Sequence, residues 1–539
     1  MIRIQQLKVP LAADGASPQE RLENKIRKEL RLSFEQPFSY EIRKRSIDAR
    51  KKPELFFVYT VDVAVQGERT LAKKLHRPHI MPVQEIRYHF PKHGGRPLIS
   101  PPVIVGAGPA GLFCACELAR HGYQPLVIER GKRVEQRTAD VAAFWERGIL
   151  DPDSNVQFGE GGAGTFSDGK LNTMVKDPRG RGRHVLEQFV RFGAPSEILY
   201  DSRPHIGTDI LTAVIRNMRE EIRRLGGRFL FETKLTGLRM SGGALSGVRV
   251  RAADGTEQTI DAQAAVIAVG HSARDTFEAL HGLGLVMEPK AFAVGFRVEH
   301  PQAMINESQY GCEWERLRLP AAPYKVTAQT GSGRGVYSFC MCPGGFVVNA
   351  SSEPGRLVVN GMSNYGRDEK NANSAIIVSV TPADFGGSGP LSGVAFQRRL
   401  EERAYRLCGG KIPQQLLGDF KERRVSDGYG GFSSCVKGQA AFGALHELFT
   451  PEMNESFLAG MARFGERLFG FDRPDAILSG VESRTSSPLR IVRGGDFQSN
   501  IRGVYPCGEG AGYAGGITSA AMDGLKVAEA LAEVFALPS

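Results

Sequence analysis

The chain has 539 residues, of which 41% are hydrophobic and 24% charged, with a mean hydropathy of −0.23. That composition predicts a soluble chain long enough for two or three domains, and the lack of an apolar run near 18 residues argues against a transmembrane helix and membrane attachment. The net charge is +10, and residues 1–95 hold +8 of it, with 19 Lys and Arg against 11 Asp and Glu. Met1 to Gln6 has no signal-peptide core, so the expected compartment is the cytoplasm. The eight scattered cysteines do not read as a disulfide framework or a metal site.

Residues 1–95 read as a separate basic α+β module. Ile2 to Leu7 suits a strand. Ser17-Pro18-Gln19-Glu20 is an N-cap with Pro at the first helical position. Leu22, Ile26, Leu30 and Leu32 continue a helical stripe. Phe38 to Ile47 and Leu55 to Val65 alternate apolar and polar residues, as strands joined by Asp48 to Pro53. A βαββ order suggests a ferredoxin-like module. Its cluster Arg43, Lys44, Arg45, Arg50, Lys51 and Lys52 suits nucleic acid or an acidic protein. The plainer reading is a solvated strand edge, where cations block edge-to-edge pairing.

After a linker at His93 to Pro97, Val103-Ile104-Val105 is a β-branched run fit for a buried strand. Gly106, Gly108 and Gly111 follow as G-x-G-x-x-G, with Pro109 and Ala110 inside the motif. The glycines permit a tight turn, a close approach to a pyrophosphate, and close helix–sheet packing. A second strand ends at Glu129 and Arg130, eighteen residues after Gly111. A carboxylate there suits an adenosine ribose and repels a 2′-phosphate.

Residues 155–171 form a second glycine-dense loop. Backbone N–H groups of Gly161, Gly162, Ala163, Gly164 and Thr165 would point at a ring system or its phosphates. Lys170 closes this loop and is a substrate-side candidate. His205 is either a proton donor near substrate or a hydrogen-bonded loop residue. Lys234 ends the strand from Phe229 and joins the cofactor set. A meander with turns at Gly242-Gly243 and Asp254-Gly255 follows. Ala264 to Val269 then reads as a buried strand ending at Gly270, returning beside the adenosine.

Residues 285–480 read as an inserted substrate domain with strands at 336–339, 346–349, 357–360 and 375–380. Cys340-Met341-Cys342 interrupts them. A C-x-C pair is either a dithiol that exchanges electrons with a cofactor or two buried thiols. One intervening residue strains a disulfide on a regular strand face. Just downstream, Arg484 is split between binding a substrate carboxylate or phosphate and a structural ion pair.

The last stretch decides the cofactor. Val504 to Cys507 reads as a strand running into Gly508-Glu509-Gly510, and Gly515-Gly516 opens a small-residue helix at Ile517-Thr518. This resembles the second cofactor motif of glutathione-reductase-type flavoproteins. The resemblance implies that Glu509 bonds a ribityl chain and that the helix N-terminus faces the flavin pyrimidine, where reduction builds negative charge. The reading is non-covalent FAD.

Val-Ile-Val-Gly-Ala-Gly-Pro-Ala-Gly, Phe-Gly-Glu-Gly-Gly-Ala-Gly-Thr-Phe-Ser-Asp-Gly-Lys, Pro-His-Ile-Gly-Thr-Asp, Phe-Cys-Met-Cys-Pro-Gly-Gly and Glu-Ser-Arg-Thr-Ser-Ser-Pro together resemble the bacterial FAD-dependent dehydrogenases often labelled NAD(FAD)-utilising. The resemblance spans most of residues 95–535 and implies an oxidoreductase whose flavin N5 accepts hydride or electrons from a small-molecule substrate. It supplies no substrate. No second strand–G-x-G-x-x-G unit stands mid-chain, so NAD(P)H stays open only as a ligand without a Rossmann domain of its own.

The expected architecture is α/β. A Rossmann-type FAD-binding domain is built from residues 96–284 and 481–539, around the substrate domain at 285–480 and behind the N-terminal module at 1–95. The alternative is an RNA- or protein-binding flavoprotein, a redox sensor or RNA-modifying enzyme, that uses the basic module.

Overall fold

The computed structural model describes residues 1–11, 17–75 and 77–538. Its first unit runs strand Ile2–Pro10, helix Pro18–Leu30, strands Phe38–Lys51 and Glu54–Val65, helix Glu68–Leu75 and strand Ile80–Pro82. Phe38–Lys51 pairs with Glu54–Val65, which pairs with Ile2–Pro10, which pairs with Ile80–Pro82, all antiparallel. That is the ferredoxin-like order. Ser17 and Glu20 cap the first helix reciprocally: Glu20 N donates to Ser17 Oγ at 3.1 Å and Ser17 N to Glu20 Oε2 at 2.9 Å. Leu22, Ile26 and Leu30 are buried under it.

The Phe38–Val65 hairpin is longer than expected. Bulges keep its strands paired until Lys51 faces Glu54, leaving only Lys52 and Pro53 to turn. The extra length carries the hairpin onto the rest of the chain. Arg45 N donates to the Tyr200 carbonyl at 2.7 Å, Lys52 Nζ bonds the Ser308 carbonyl, and Leu55 is buried in the core of the inserted region.

A five-stranded parallel sheet follows, in the order Val504–Pro506, Ala265–Ile267, Val103–Val105, Leu126–Ile128, Arg228–Leu230. The strand from the end of the chain therefore completes the sheet that begins at Val103. Helices Pro109–Arg120 and Ile517–Val534 lie against each other over it. They approach so closely that a Cβ on Gly524 would fall on the Ala110 carbonyl oxygen. The meander Thr233–Ser241, Ala244–Ala252, Glu257–Asp261 covers the other face.

The inserted region is built on a seven-stranded sheet. Its two longest strands, Phe292–Pro301 and Asn371–Val380, run antiparallel at the centre, flanked by Gly335–Cys342 and Ile477–Glu482. Phe296, Phe420, Phe449 and Phe457 pack on one another beneath helix Pro451–Gly465. The strand expected at 357–360 forms two residues later, as Val359–Met362 in a small side sheet. Among the described residues no helix is long and apolar enough to cross a membrane.

Candidate functional site

The two glycine-rich ends meet at one cavity of about 340 Å³. Strand Val103–Val105 delivers Gly106, whose φ of 103° and contact with the Ala268 carbonyl require glycine. Helix Pro109–Arg120 starts at Gly108 and helix Ile517–Val534 at Gly516, and neither N-terminus has a side-chain cap. Both borders of the cavity thus present unsatisfied helix-start amides, a setting for anionic groups.

The second glycine loop is locked to the first. Gly161 N donates to the Ala107 carbonyl at 2.8 Å. Arg137, which is fully buried, holds the loop from within. It donates to the carbonyls of Asn155 and Glu160 at 2.8 Å and of Val156 and Gly162 at 2.9 Å. Burial pushes its guanidinium down to about 10. Sequence reading missed Arg137. Its only signal is an arginine inside the apolar stripe of a helix beginning at Val134.

Glu129 lines the cavity, but its carboxylate also knits the loops together. It accepts from Ala107 N at 2.8 Å, Gly131 N at 2.9 Å and Gly159 N at 3.1 Å. Of the roughly four acceptor positions on a carboxylate, about one stays open toward a ribose. Arg130 lies over the Phe158 ring at 4.1 Å and pairs with Asp153 and Asp275, and Lys234 reaches Asp275 at 3.0 Å. Burial pushes the Asp275 carboxyl up, but Arg130 and Lys234 outweigh it and hold it at about 2.

Of the cofactor residues expected from sequence, Gly106, Gly108, Pro109 and Ala110 line the cavity with Glu129 and Arg130. So do Gly162, Ala163 and Gly164, Lys234, Gly270, and Glu509, Gly516 and Ile517. Five stand behind the lining. Gly111 packs under the Gly106 carbonyl, and Gly161 against Thr165 and Ile215. Thr165 is buried beside Arg137. Gly508 N donates to Asp523 at 2.8 Å, and the Thr518 hydroxyl donates to the Leu171 carbonyl at 2.8 Å.

The lining also includes Lys170, Asp168, Cys340, Asn360, Glu482 and Arg484. Lys170 Nζ is buried without a hydrogen bond; its nearest carboxylate oxygen, on Asp168, is 3.7 Å away and already committed to Arg367. Glu482 was not anticipated, because a carboxylate inside the fully buried strand Ile477–Glu482 has no periodic signature. It accepts from Arg297 Nε at 2.9 Å, and burial pushes its carboxyl up to about 7.

For two residues with two readings the contacts match the structural one. Arg484 lines the cavity, but its fork is spent: Nε and Nη2 bond Glu401 at 2.9 and 2.8 Å, and Nη1 bonds Ser352 at 2.7 Å. Arg274 grips the same carboxylate from the other side at 2.6 Å. His205 lies outside the lining. Its Nε2 meets the Tyr365 carbonyl at 3.0 Å, and its backbone bridges that of Lys170, so it braces the segment carrying the lysine. Cys340 lines the cavity, whereas Cys342 is fully buried behind it.

The basic cluster of the first unit is largely engaged. Arg43 pairs with buried Asp62 at 2.6 Å, Arg45 with Asp201 at 3.2 Å, Arg50 with Asp48 at 2.8 Å, and Lys52 with Ser308. Nothing in this arrangement favours a nucleic-acid or acidic-protein partner.

The cavity fits a flavin dinucleotide. Gly270, Gly515 and Gly516 border it, and a Cβ on any of them would meet no atom within 4 Å. At Gly270 a φ of 75° also favours glycine, but at Gly515 and Gly516 neither packing nor a left-handed backbone demands it. Next to Leu171, whose carbonyl accepts from Thr518 in the first turn of helix Ile517–Val534, Lys170 brings to the lining an ammonium with no hydrogen-bond partner among the described residues.

Residues 291–485 match a family model described as FAD-dependent protein, C-terminal domain-like. Residues 104–145 match an NAD(P)-binding Rossmann-like domain, and residues 1–64 a domain of unknown function. An uncharacterized protein of Clostridium beijerinckii is 48% identical over 522 residues, covering 96% of each chain. Among solved structures, a flavoprotein/dehydrogenase from Cytophaga hutchinsonii is 12% identical, with a TM-score of 0.34, over 79% of this chain and 75% of that one. The glycerol-3-phosphate dehydrogenase from Bacillus halodurans complexed with FAD is 13% identical, with a TM-score of 0.35, over 81% of this chain and 65% of that one.

Proposed function

The chain belongs to the bacterial FAD-dependent oxidoreductases of unassigned substrate, and from that premise we propose how its residues divide the work. When bound, FAD supplies the two-electron acceptor chemistry. The backbone amides of Gly108, Ala110, Ala163 and Gly164 would hold the pyrophosphate, while Gly106 N donates to the Ile128 carbonyl and Gly162 N to the Gly159 carbonyl and so shape the two loops. Glu129 takes one ribose hydroxyl with its remaining acceptor position. Glu509 takes the ribityl chain, and the start of helix Ile517–Val534 offers positive backbone dipoles where negative charge builds on reduction.

At the substrate end, Glu482 accepts or returns a proton near neutral pH. Lys170 counters negative charge on substrate or cofactor. The observation that carries this reading is that one cavity is lined by both glycine-rich ends and by an ammonium with no hydrogen-bond partner among the described residues. The eight cysteines are all free, which supports a reducing cytoplasmic setting.

The test is flavin retention. Wild-type protein given FAD keeps a flavin absorbance spectrum through gel filtration. Gly515→Leu, which adds a side chain only to open space, stays folded and elutes without it. Equal retention by both proteins would refute the placement of the cofactor.

A further inference from the structure

Cys340 and Cys342 lie at the cavity end of strand Gly335–Cys342. On a regular strand, residues two apart share a face but stand too far apart for a disulfide. Here the ladder slips. Phe339 faces Ala375 while Cys342 faces Asn373, so one extra residue bulges out between them. Cys340 takes up the bulge with a left-handed φ of 43°, a conformation uncommon for any residue but glycine.

The bulge places Cys340 in the cavity lining and keeps Cys342 directly behind it. Cys342 Sγ donates to the Cys340 carbonyl at 3.4 Å. Fully buried Arg297 pins the bulge, donating to the same carbonyl at 2.8 Å, to Asn360 at 2.7 Å and to Glu482 at 2.9 Å. Hydrogen bonding from the Cys342 thiol, with Lys170 and Arg297 nearby, holds Cys340 well below the usual thiol range. Cys114, Cys116 and Cys507 are instead buried thiols pushed up by burial. Among the described residues no group of three or more His, Cys, Asp or Glu side chains could hold a metal, so a metal does not account for the pair.

We propose that Cys340 and Cys342 are a redox dithiol that exchanges an electron pair with the flavin, with Cys340 as the member that meets a thiol or disulfide compound entering the cavity. This rests on the FAD reading above. As the Cys340 Sγ–Cys342 Sγ bond forms, the Cys342 S–H bond breaks. Two electrons and that proton leave to the flavin, and the reverse transfer restores thiolate and thiol.

Two measurements on the FAD-loaded, oxidised enzyme test it: anaerobic reductive titration, and the mass of the peptide that carries both cysteines. Wild type is expected to take up about four electrons per flavin, two for each two-electron centre. Its unreduced peptide should be lighter than the dithiol by two hydrogens. Cys340→Ser should take up about two electrons and show no such loss. The peptide mass is read on wild type, so it stands even if a cysteine variant fails to fold. Uptake of only about two electrons by wild type, with a full dithiol mass, would overturn the proposal. A protein that holds no flavin at all removes the FAD reading and this inference with it, and the absorbance spectrum tells that failure from the other.

Discussion

Arg137 donates to the carbonyl of Gly162 at 2.9 Å, and four more backbone carbonyls of residues 155–160 lie within reach of the same guanidinium. One buried side chain therefore sets the path of the loop that faces Gly108. Arg137→Ala would strand those carbonyls, and each unsatisfied buried group costs about 1–3 kcal/mol. Arg137→Lys, with one compact ammonium, cannot span them either. Both variants should melt earlier and bind FAD at least about tenfold more weakly, the equivalent of about 1.4 kcal/mol. Thermal melting with and without FAD, and flavin titration, read the two effects separately.

Glu482 links cavity and pH. Burial raises its folded-state carboxyl to about 7, above an unfolded value near 4.3. The neutral form is the one folding favours. Its stabilising effect is complete below the unfolded value and is lost as pH rises through about 7. Glu482→Gln removes the titration, so the variant's melting temperature should gain on wild type between pH 5 and about 8. If Glu482 moves the substrate proton, the same variant slows turnover about 10²-fold or more and flattens the pH–rate limb near 7. A wild-type limb retained in the variant would assign that proton to another group.

How far the sequence speaks depends on which physical pattern each residue leaves in it. Gly106, Gly108, Glu129, Gly516 and Ile517 were legible because backbone approach and helix starts require particular residues at fixed spacing. The N-cap at Ser17 with Pro18 behind it was legible for the same local reason, and the structure adds the reciprocal bond from Glu20. Strand Phe292–Pro301 was not, although it is the centre of the largest sheet. It is buried on both faces along nearly its whole length and contains glycine, charges and histidine, so no alternation marks it. Arg137, Arg297 and Glu482 were invisible because their partners come from loops and strands distant in sequence. The basic hairpin stayed open between a strand edge and a binding face because Asp62, Asp201 and Ser308, which hold its cations, are settled by tertiary packing.

Lys170 bears on the energetics of the cofactor. Its ammonium lines the cavity without a hydrogen bond, while Asp168 is satisfied by Arg367 and Ser363. Its charge nonetheless helps to hold the buried Asp168 carboxyl below the usual range, so Lys170→Met should lower the melting temperature while Arg367 and Ser363 keep the carboxylate bonded. It should move the two-electron potential of the bound flavin to a more negative value, by about 30 mV if the lost charge is worth about 1.4 kcal/mol to the reduced form. Spectroelectrochemical titration of both proteins measures it. An unchanged potential would place the ammonium too far from the flavin to act on it.

Arg484 separates structure from chemistry at the same cavity. Glu401 is fully buried, and burial alone would push its carboxyl up. Arg274 and Arg484 instead hold it well below the usual carboxylate range. A carboxylate lowered in the folded state adds stability above its unfolded value near 4.3, and that stability fades as pH falls below it. Arg484→Ala leaves Arg274 as the one cation bonded to Glu401. Truncating one partner of a buried pair costs about 3–5 kcal/mol, and the remaining arginine should keep the loss toward the lower end. Lysine would not rescue it, since one ammonium cannot replace two parallel bonds to Glu401 and a third to Ser352. The expected result is a lower melting temperature for Arg484→Ala and Arg484→Lys alike, with the flavin spectrum and the pH–rate limb near 7 intact in the protein that remains folded. Normal melting with lost turnover would return the guanidinium to the substrate.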